Sequence, residues 1–178
     1  MSGNEKILGE ARHQLLVSTL KEASNPVSGR ELGLMTNVSR QVIVGDITLL
    51  KAKGEPIMAT SRGYVYMHPQ VKLRKIEKVI ACNHTSEQTE EELNLLVDYG
   101  VTVKDVKIEH PVYGDLTASV MVSNRNEVKE FIENIKKTNA SFLLELTEGI
   151  HLHTIIADNE QEIINAENAL RKADILVE

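Results

Sequence analysis

The sequence predicts an α+β protein of two domains, residues 1–70 and 71–178. Three observations carry this. Apolar residues recur at helical spacing in three stretches before residue 54, and two short β-type runs follow. From residue 73 onward, strand and helix patterns alternate in the order β-α-β-β-α-β. Charge also changes sign between the halves. Residues 1–72 carry nine Lys and Arg against six Asp and Glu, whereas residues 73–178 carry 11 against 20.

The first helix is expected over 5–23, with Ile7, Leu8, Ala11, Leu15, Leu16 and Leu20 at helical spacing. Asn25-Pro26 breaks it, and Ser28 can cap a short second helix over 28–35 that turns Leu32 inward. After a turn at Thr36-Asn37, a third helix spans 38–53, and Gly54 ends it as a left-handed cap. Residues 57–67 read as a hairpin with its turn at Ser61-Arg62-Gly63. Three helices with a tight turn between the second and third, then a hairpin, form the layout of a winged helix-turn-helix. In that layout the third helix enters the DNA major groove with its N-terminal residues. Here these are Ser39, Arg40 and Gln41. Arg pairs bidentately with guanine, Gln with adenine, and Ser suits a phosphate oxygen. Arg62 sits at the hairpin tip, where a wing meets the duplex. The segment 68–73 contains Pro69, which cannot continue a central strand, and marks the domain boundary.

In the second domain, strands are expected over 75–82, 101–109, 116–122 and 150–156, with a short last strand over 174–177. Helices are expected over 86–99, 125–138 and 159–172. Lys104-Asp105 interrupts the alternation of the second strand, which predicts a bulge there. This order is a split βαβ unit with an antiparallel sheet and helices on one face.

Composition narrows the chemistry. Aromatics are 3% with no Trp, so the core is aliphatic and base-stacking platforms are not expected. The lone Cys82 excludes an internal disulfide and a cysteine-only zinc site, and is expected to be a buried apolar residue. No apolar run approaches the ~18 residues of a membrane span, and charges occupy the place of a secretory apolar stretch. A soluble cytoplasmic protein is the expectation.

Four of the six histidines, His84, His110, His151 and His153, lie in the acidic half. His151 and His153 are two apart in a strand, so both imidazoles share a face. Ile150, Leu152 and Ile155 are expected to face the core on the other side. His84 ends the first strand, within reach of the pair if the first and last strands are neighbours. A carboxylate from the acidic helix would complete a site, with Glu87, Glu90, Glu91 and Glu92 as candidates. Three imidazoles and a carboxylate suit zinc, nickel or iron. An H-x-H pair alone equally describes two surface imidazoles without a ligand. His13 and His68 read as structural or exposed.

The runs CNHTSEQTEEEL (82–93), EHPVYGDL (109–116) and GIHLHTI (149–155) resemble the three-histidine (3H) domain. With the preceding PVSGRELG and VSRQVIVGDITLLKAKG segments and the GYVY hairpin, the whole chain resembles the niacin-responsive repressors of NAD biosynthesis and niacin uptake. The resemblance implies an HPr-like 3H domain, a homodimer on double-stranded operator DNA, and nicotinic acid as co-repressor. It implies a divalent transition metal on His84, Glu92, His151 and His153, choosing Glu92 among the four glutamates. His110 and Tyr113 are its candidates to line the effector pocket. A metal-responsive repressor, with the ion itself as signal, and a metal-dependent enzyme domain fused to a DNA module are the alternatives. Against an enzyme, no further base or nucleophile constellation is visible.

Overall fold

The computed structural model describes residues 8–67 and 75–178. Ile7 and the boundary segment with His68 and Pro69 therefore lie outside the described residues. The chain divides into two compact units, Met1–Val71 and Lys72–Glu178.

In the first unit, helix α1 (Gly9–Glu22) buries Arg12, Leu16 and Leu20. Leu8 is 78% exposed and Ala11 is exposed, unlike the expected apolar stripe. Arg12 takes the inward position because a carboxylate partner waits there, described below. Helix α2 (Gly29–Thr36) starts in a capping box, with Ser28 Oγ accepting from the Glu31 amide and Glu31 Oε2 from the Ser28 amide. It ends at Asn37 in the left-handed conformation, φ 52°. A Cβ on Gly33 would stand 2.7 Å from the Val38 carbonyl oxygen, so the tight turn needs glycine. Helix α3 (Arg40–Ala52) is capped by Ser39 and buries Ile43, Ile47 and Leu50 against α1 and Leu32. Strands β1 (Ile57–Thr60) and β2 (Gly63–Tyr66) pair as an antiparallel hairpin, and Val27 bridges Tyr64.

The second unit runs β3 (Ile76–Asn83), a 3-10 turn (Ser86–Gln88), α4 (Thr89–Asp98), β4 (Thr102–His110), β5 (Gly114–Val122) and α5 (Arg125–Thr138). A second 3-10 turn (Leu143–Thr147), β6 (Ile150–Ala157) and α6 (Glu160–Lys172) complete it. The sheet order is β3-β6-β4-β5 with every neighbouring pair antiparallel. Strand β6 thus sits between β3 and β4, which makes the first and last strands neighbours. The register shifts between Val103 and Asp105, where the two charges break the alternation. Leu93, Leu96, Val128, Ile132, Ile163 and Leu170 from the three helices pack on one sheet face with Ile80, Val103, Val120 and Ile155.

Two expectations fail. Ile150 and Leu152 do not face the core: they are 58% and 39% exposed, on the sheet face that the helices leave open. Alternation puts His151, His153, Ile155 and Ala157 together on the helix side, and all four are buried. The imidazoles are therefore interior groups. The last segment is not a strand but a single bridge from Leu176 to Cys82. Asp174 enters it in the left-handed conformation, φ 60°, which breaks the extended backbone before it.

Candidate metal centre and DNA-contact residues

The antiparallel β3–β6 pairing sets Cys82 opposite His151 and Ile80 opposite His153. One residue past β3, His84 meets the start of β6, and its amide donates to the Gly149 carbonyl at 3.4 Å. A Cβ on Gly149 (φ +101°) would stand 2.6 Å from the His84 carbonyl oxygen, so glycine is what lets the two segments close. The first turn of α4 then lowers Glu92 onto the three rings. Glu92 is fully buried, and His84, His151 and His153 are 6%, 2% and 3% exposed.

All three rings aim the same nitrogen at that carboxylate. His151 Nε2 is 3.2 Å from Glu92 Oε1 and His153 Nε2 is 3.3 Å from Oε2. His84 Nε2 lies 2.8 Å from Oε2 without the alignment of a hydrogen bond, and so has no hydrogen-bond partner. The opposite nitrogens are tied to backbone carbonyls. His84 Nδ1 donates to Thr85 O (2.8 Å), His151 Nδ1 to Gly149 O (2.8 Å) and His153 Nδ1 to Asp105 O (2.7 Å). A carbonyl only accepts, so each Nδ1 carries its proton, and the Nε2 of each ring, a lone pair wherever the ring is neutral, faces inward. Carbonyl-anchored imidazoles of this kind are the usual support of metal ligands. Neutral rings facing a carboxylate are lone pairs against negative charge, an arrangement that a divalent cation or added protons must relieve. Burial pushes the His84 and His153 rings down, but the Glu92 carboxylate outweighs it and holds both above their ordinary value. Burial pushes Glu92 up, yet the three imidazoles, His153 foremost, hold it well below its ordinary value. The donor set, three imidazole nitrogens and one carboxylate, fits a borderline divalent transition metal.

Cys82, Glu92 and His151 also offer ligand atoms within 4.8 Å of one another. Burial and the Glu92 charge push the Cys82 thiol up, so it stays a protonated, apolar side chain. Of the four glutamates, Glu92 alone points inward; Glu87, Glu90 and Glu91 are absent from the cluster, and Glu90 and Glu91 are exposed.

His110 and Tyr113 are not brought to this cluster. They sit at the β4–β5 turn, where His110 Nδ1 accepts from the amides of Val112 and Tyr113. Tyr113 is 74% exposed, its ring 4.9 Å from the imidazole. Beside the cluster a groove of about 620 Å³ is lined by Lys107, Glu109, Leu146, Ile150, His151 and Leu152, among others.

In the first unit, Ser39, Arg40 and Gln41 are exposed at the start of α3. Ser39 Oγ accepts from the Val42 amide at 3.4 Å. The Arg40 stem lies by Gly29 and Tyr64: a Cβ on Gly29 would be 3.4 Å from Arg40 Cγ and from the Tyr64 ring. Arg62 is half-buried at the hairpin turn, its amide donating to Thr60 Oγ1. The sequence reading missed a buried cluster here. Arg12 Nε and Nη2 donate to Asp46 Oδ2 and Oδ1 at 2.6 and 2.9 Å, and His13 Nε2 lies 3.0 Å from Oδ1. The available signal was Asp46 itself, a carboxylate between the inward-facing Ile43 and Leu50.

Two family models match separate stretches of the chain. The 3H domain family matches residues 77–178 and a helix-turn-helix (HTH) domain family matches residues 12–65. The chain is 54% identical over 178 residues to the transcription repressor NadR of Bacillus subtilis (strain 168), covering 99% of each chain. It is 36% identical over 173 residues to the probable transcription repressor NiaR of Thermotoga maritima, covering 97% of each. With both family models matched in turn and both relatives covered from end to end, the chain belongs to the family of transcription repressors that join a helix-turn-helix domain to a 3H domain.

Proposed function

We propose that the protein represses genes of NAD biosynthesis and niacin uptake, binding double-stranded operator DNA as a homodimer in the cytoplasm. Nicotinic acid is its co-repressor, and a divalent transition metal (nickel, zinc or iron) is part of the sensor. His84, Glu92, His151 and His153 hold the metal. The observation that carries this is the convergence, on one buried carboxylate, of the Nε2 atoms of three imidazoles whose Nδ1 atoms are anchored to carbonyls. A bound divalent ion would supply Lewis acidity toward a carboxylate or a pyridine nitrogen, the two groups of nicotinic acid. The protein's own part is to fix ring orientation through Thr85, Gly149 and Asp105 carbonyls and to exclude water around Glu92. The groove beside His151 supports an effector reading: it has the room, an amine at Lys107 and apolar walls at Leu146, Ile150 and Leu152. His110 and Tyr113 lie on the same β4–β5 hairpin and remain the resemblance's candidates for effector contact. The protein is read as a regulator and not an enzyme.

Ser39, Arg40 and Gln41 are proposed to read base edges and phosphates, with Arg62 at the duplex backbone. Two recognition helices in a dimer would address half-sites one groove-turn apart, ~34 Å. Operator affinity, measured in chelated and metal-loaded protein with and without nicotinic acid, tests the whole reading. Nicotinic acid should tighten binding only in loaded protein. Full tightening by metal alone would instead establish the ion as the signal, and turnover of a pyridine substrate would restore the enzyme alternative.

A further inference from the structure

Helix α3 carries a glycine that the packing of its own unit does not explain. Gly45 lies in the helix interior, where glycine is the poorest former after proline. It is exposed, and a Cβ there would meet nothing within 4 Å among the described residues. Gly33 is the contrast, since a Cβ at that turn would strike the Val38 carbonyl oxygen. At Gly45 the missing side chain weakens the helix and relieves no contact. Such a gap has a use where another molecule closes on the backbone.

The position of Gly45 says what that molecule is. It sits one turn past Gln41, on the side of α3 opposite the buried Ile43, Asp46, Ile47 and Leu50. Gln41, Gly45, Thr48 and Ala52 are exposed along this side, which a recognition helix turns into the major groove. The Thr48 hydroxyl donates to the Val44 carbonyl at 2.8 Å, and the neighbouring Leu49 is 54% exposed. Past Gln41 the face therefore offers carbon and no free side-chain donor. The apolar feature of the major groove is the C5-methyl group of thymine, which packs against small apolar groups of a protein.

We propose that Gly45 sets base specificity: its bare α-carbon lets α3 close on the C5-methyl group of a thymine. This inference rests on the reading of α3 as the recognition helix and names a base that the helix selects.

The test uses the full chain and a duplex that the wild type selects from random-sequence DNA with nickel and nicotinic acid present. Copies of that duplex carry uracil in place of one thymine at a time, which removes only the methyl. Gly45→Ala fills the gap while favouring the helix, so it should raise the urea midpoint of unfolding. The same variant should bind the selected duplex about tenfold more weakly, the scale of a lost base contact. Its binding to an unselected duplex should match that of the wild type. Uracil at one thymine should weaken the wild type and remove most of its advantage over Gly45→Ala. Wild-type affinity of Gly45→Ala for the selected duplex overturns the proposal. So does an equal loss on the unselected duplex, or a loss that no uracil relieves. If Arg40→Ala also binds like the wild type, or the wild type selects no duplex, the reading of α3 itself falls with it.

Discussion

Single atoms decide what the buried histidines can do. Because each Nδ1 is committed to a carbonyl, the imidazole atoms available as ligands inside the cluster are the three Nε2 atoms, beside the Glu92 oxygens. Removing one ring leaves Glu92 less compensated and the ligand set incomplete. His151→Ala and His153→Ala should each lose bound metal by elemental analysis. His13→Ala, in the other unit, should retain it. Full metal content in both strand variants would sink the site as drawn. At the proposed DNA face, Arg40 is exposed at the start of α3 while its stem rests by Gly29 and Tyr64. Arg40→Ala should weaken operator binding by ~1–3 kcal/mol, the scale of a lost bidentate contact. Anisotropy titrations at one salt concentration measure this, and unchanged affinity in a folded variant would remove Arg40 from the interface.

Between elements, one buried ion pair ties α3 to the first helix of the unit. Arg12 of α1 grips Asp46 of α3 with two nitrogens, and His13 adds a third contact. The Arg12 hydrogen bonds hold the Asp46 carboxyl below its ordinary value of 3.8, against the opposing pull of burial. A depressed carboxyl contributes stability that is complete above its unfolded value and is lost as pH falls through the folded one. Denaturant unfolding of the chain as the pH is lowered through this range should therefore show the first unit weakening. Asp46→Asn should lack that component of the pH dependence and be less stable at neutral pH by about 3–5 kcal/mol, since Arg12 is left buried beside a neutral group. Equal stability of the two proteins at neutral pH would mean that Arg12 escapes to solvent.

At the scale of the molecule, the proposed co-repression requires that the acidic unit bias the DNA-binding one. A ligand shifts such an equilibrium only through different affinity for its two states. The nicotinic-acid effect on operator affinity should be ~1–3 kcal/mol in metal-loaded protein, the usual range between linked sites. Chelation should abolish it while leaving weak, salt-dependent DNA binding, which rests on phosphate contacts. Glu92→Gln should reduce the coupling and His84→Ala should reduce it further. A ratio of affinities, with and without nicotinic acid, that stays unchanged in metal-free protein would make the metal purely structural.

The amino-acid sequence by itself determined the fold class, the order of the elements as far as α6 and even the β4 bulge, because these depend on local periodicity, caps and turn residues. Ser28 with Glu31, Gly54, and the interrupting Lys104-Asp105 pair are all short-range signals. Sequence spacing also put His151 and His153 on one strand face, but not which face: Ile150 and Leu152 are as apolar as Ile155. Only the packing of three helices on one side made the imidazoles interior and left those two side chains exposed. Glu92 was one of four glutamates until the roll of α4 about its axis turned it inward. The Arg12–Asp46 pair joins positions 34 apart, so its long-range geometry had no signal in the spacing of either helix. Local chemistry writes the elements, whereas which side chains meet depends on how sheet and helices close on one another.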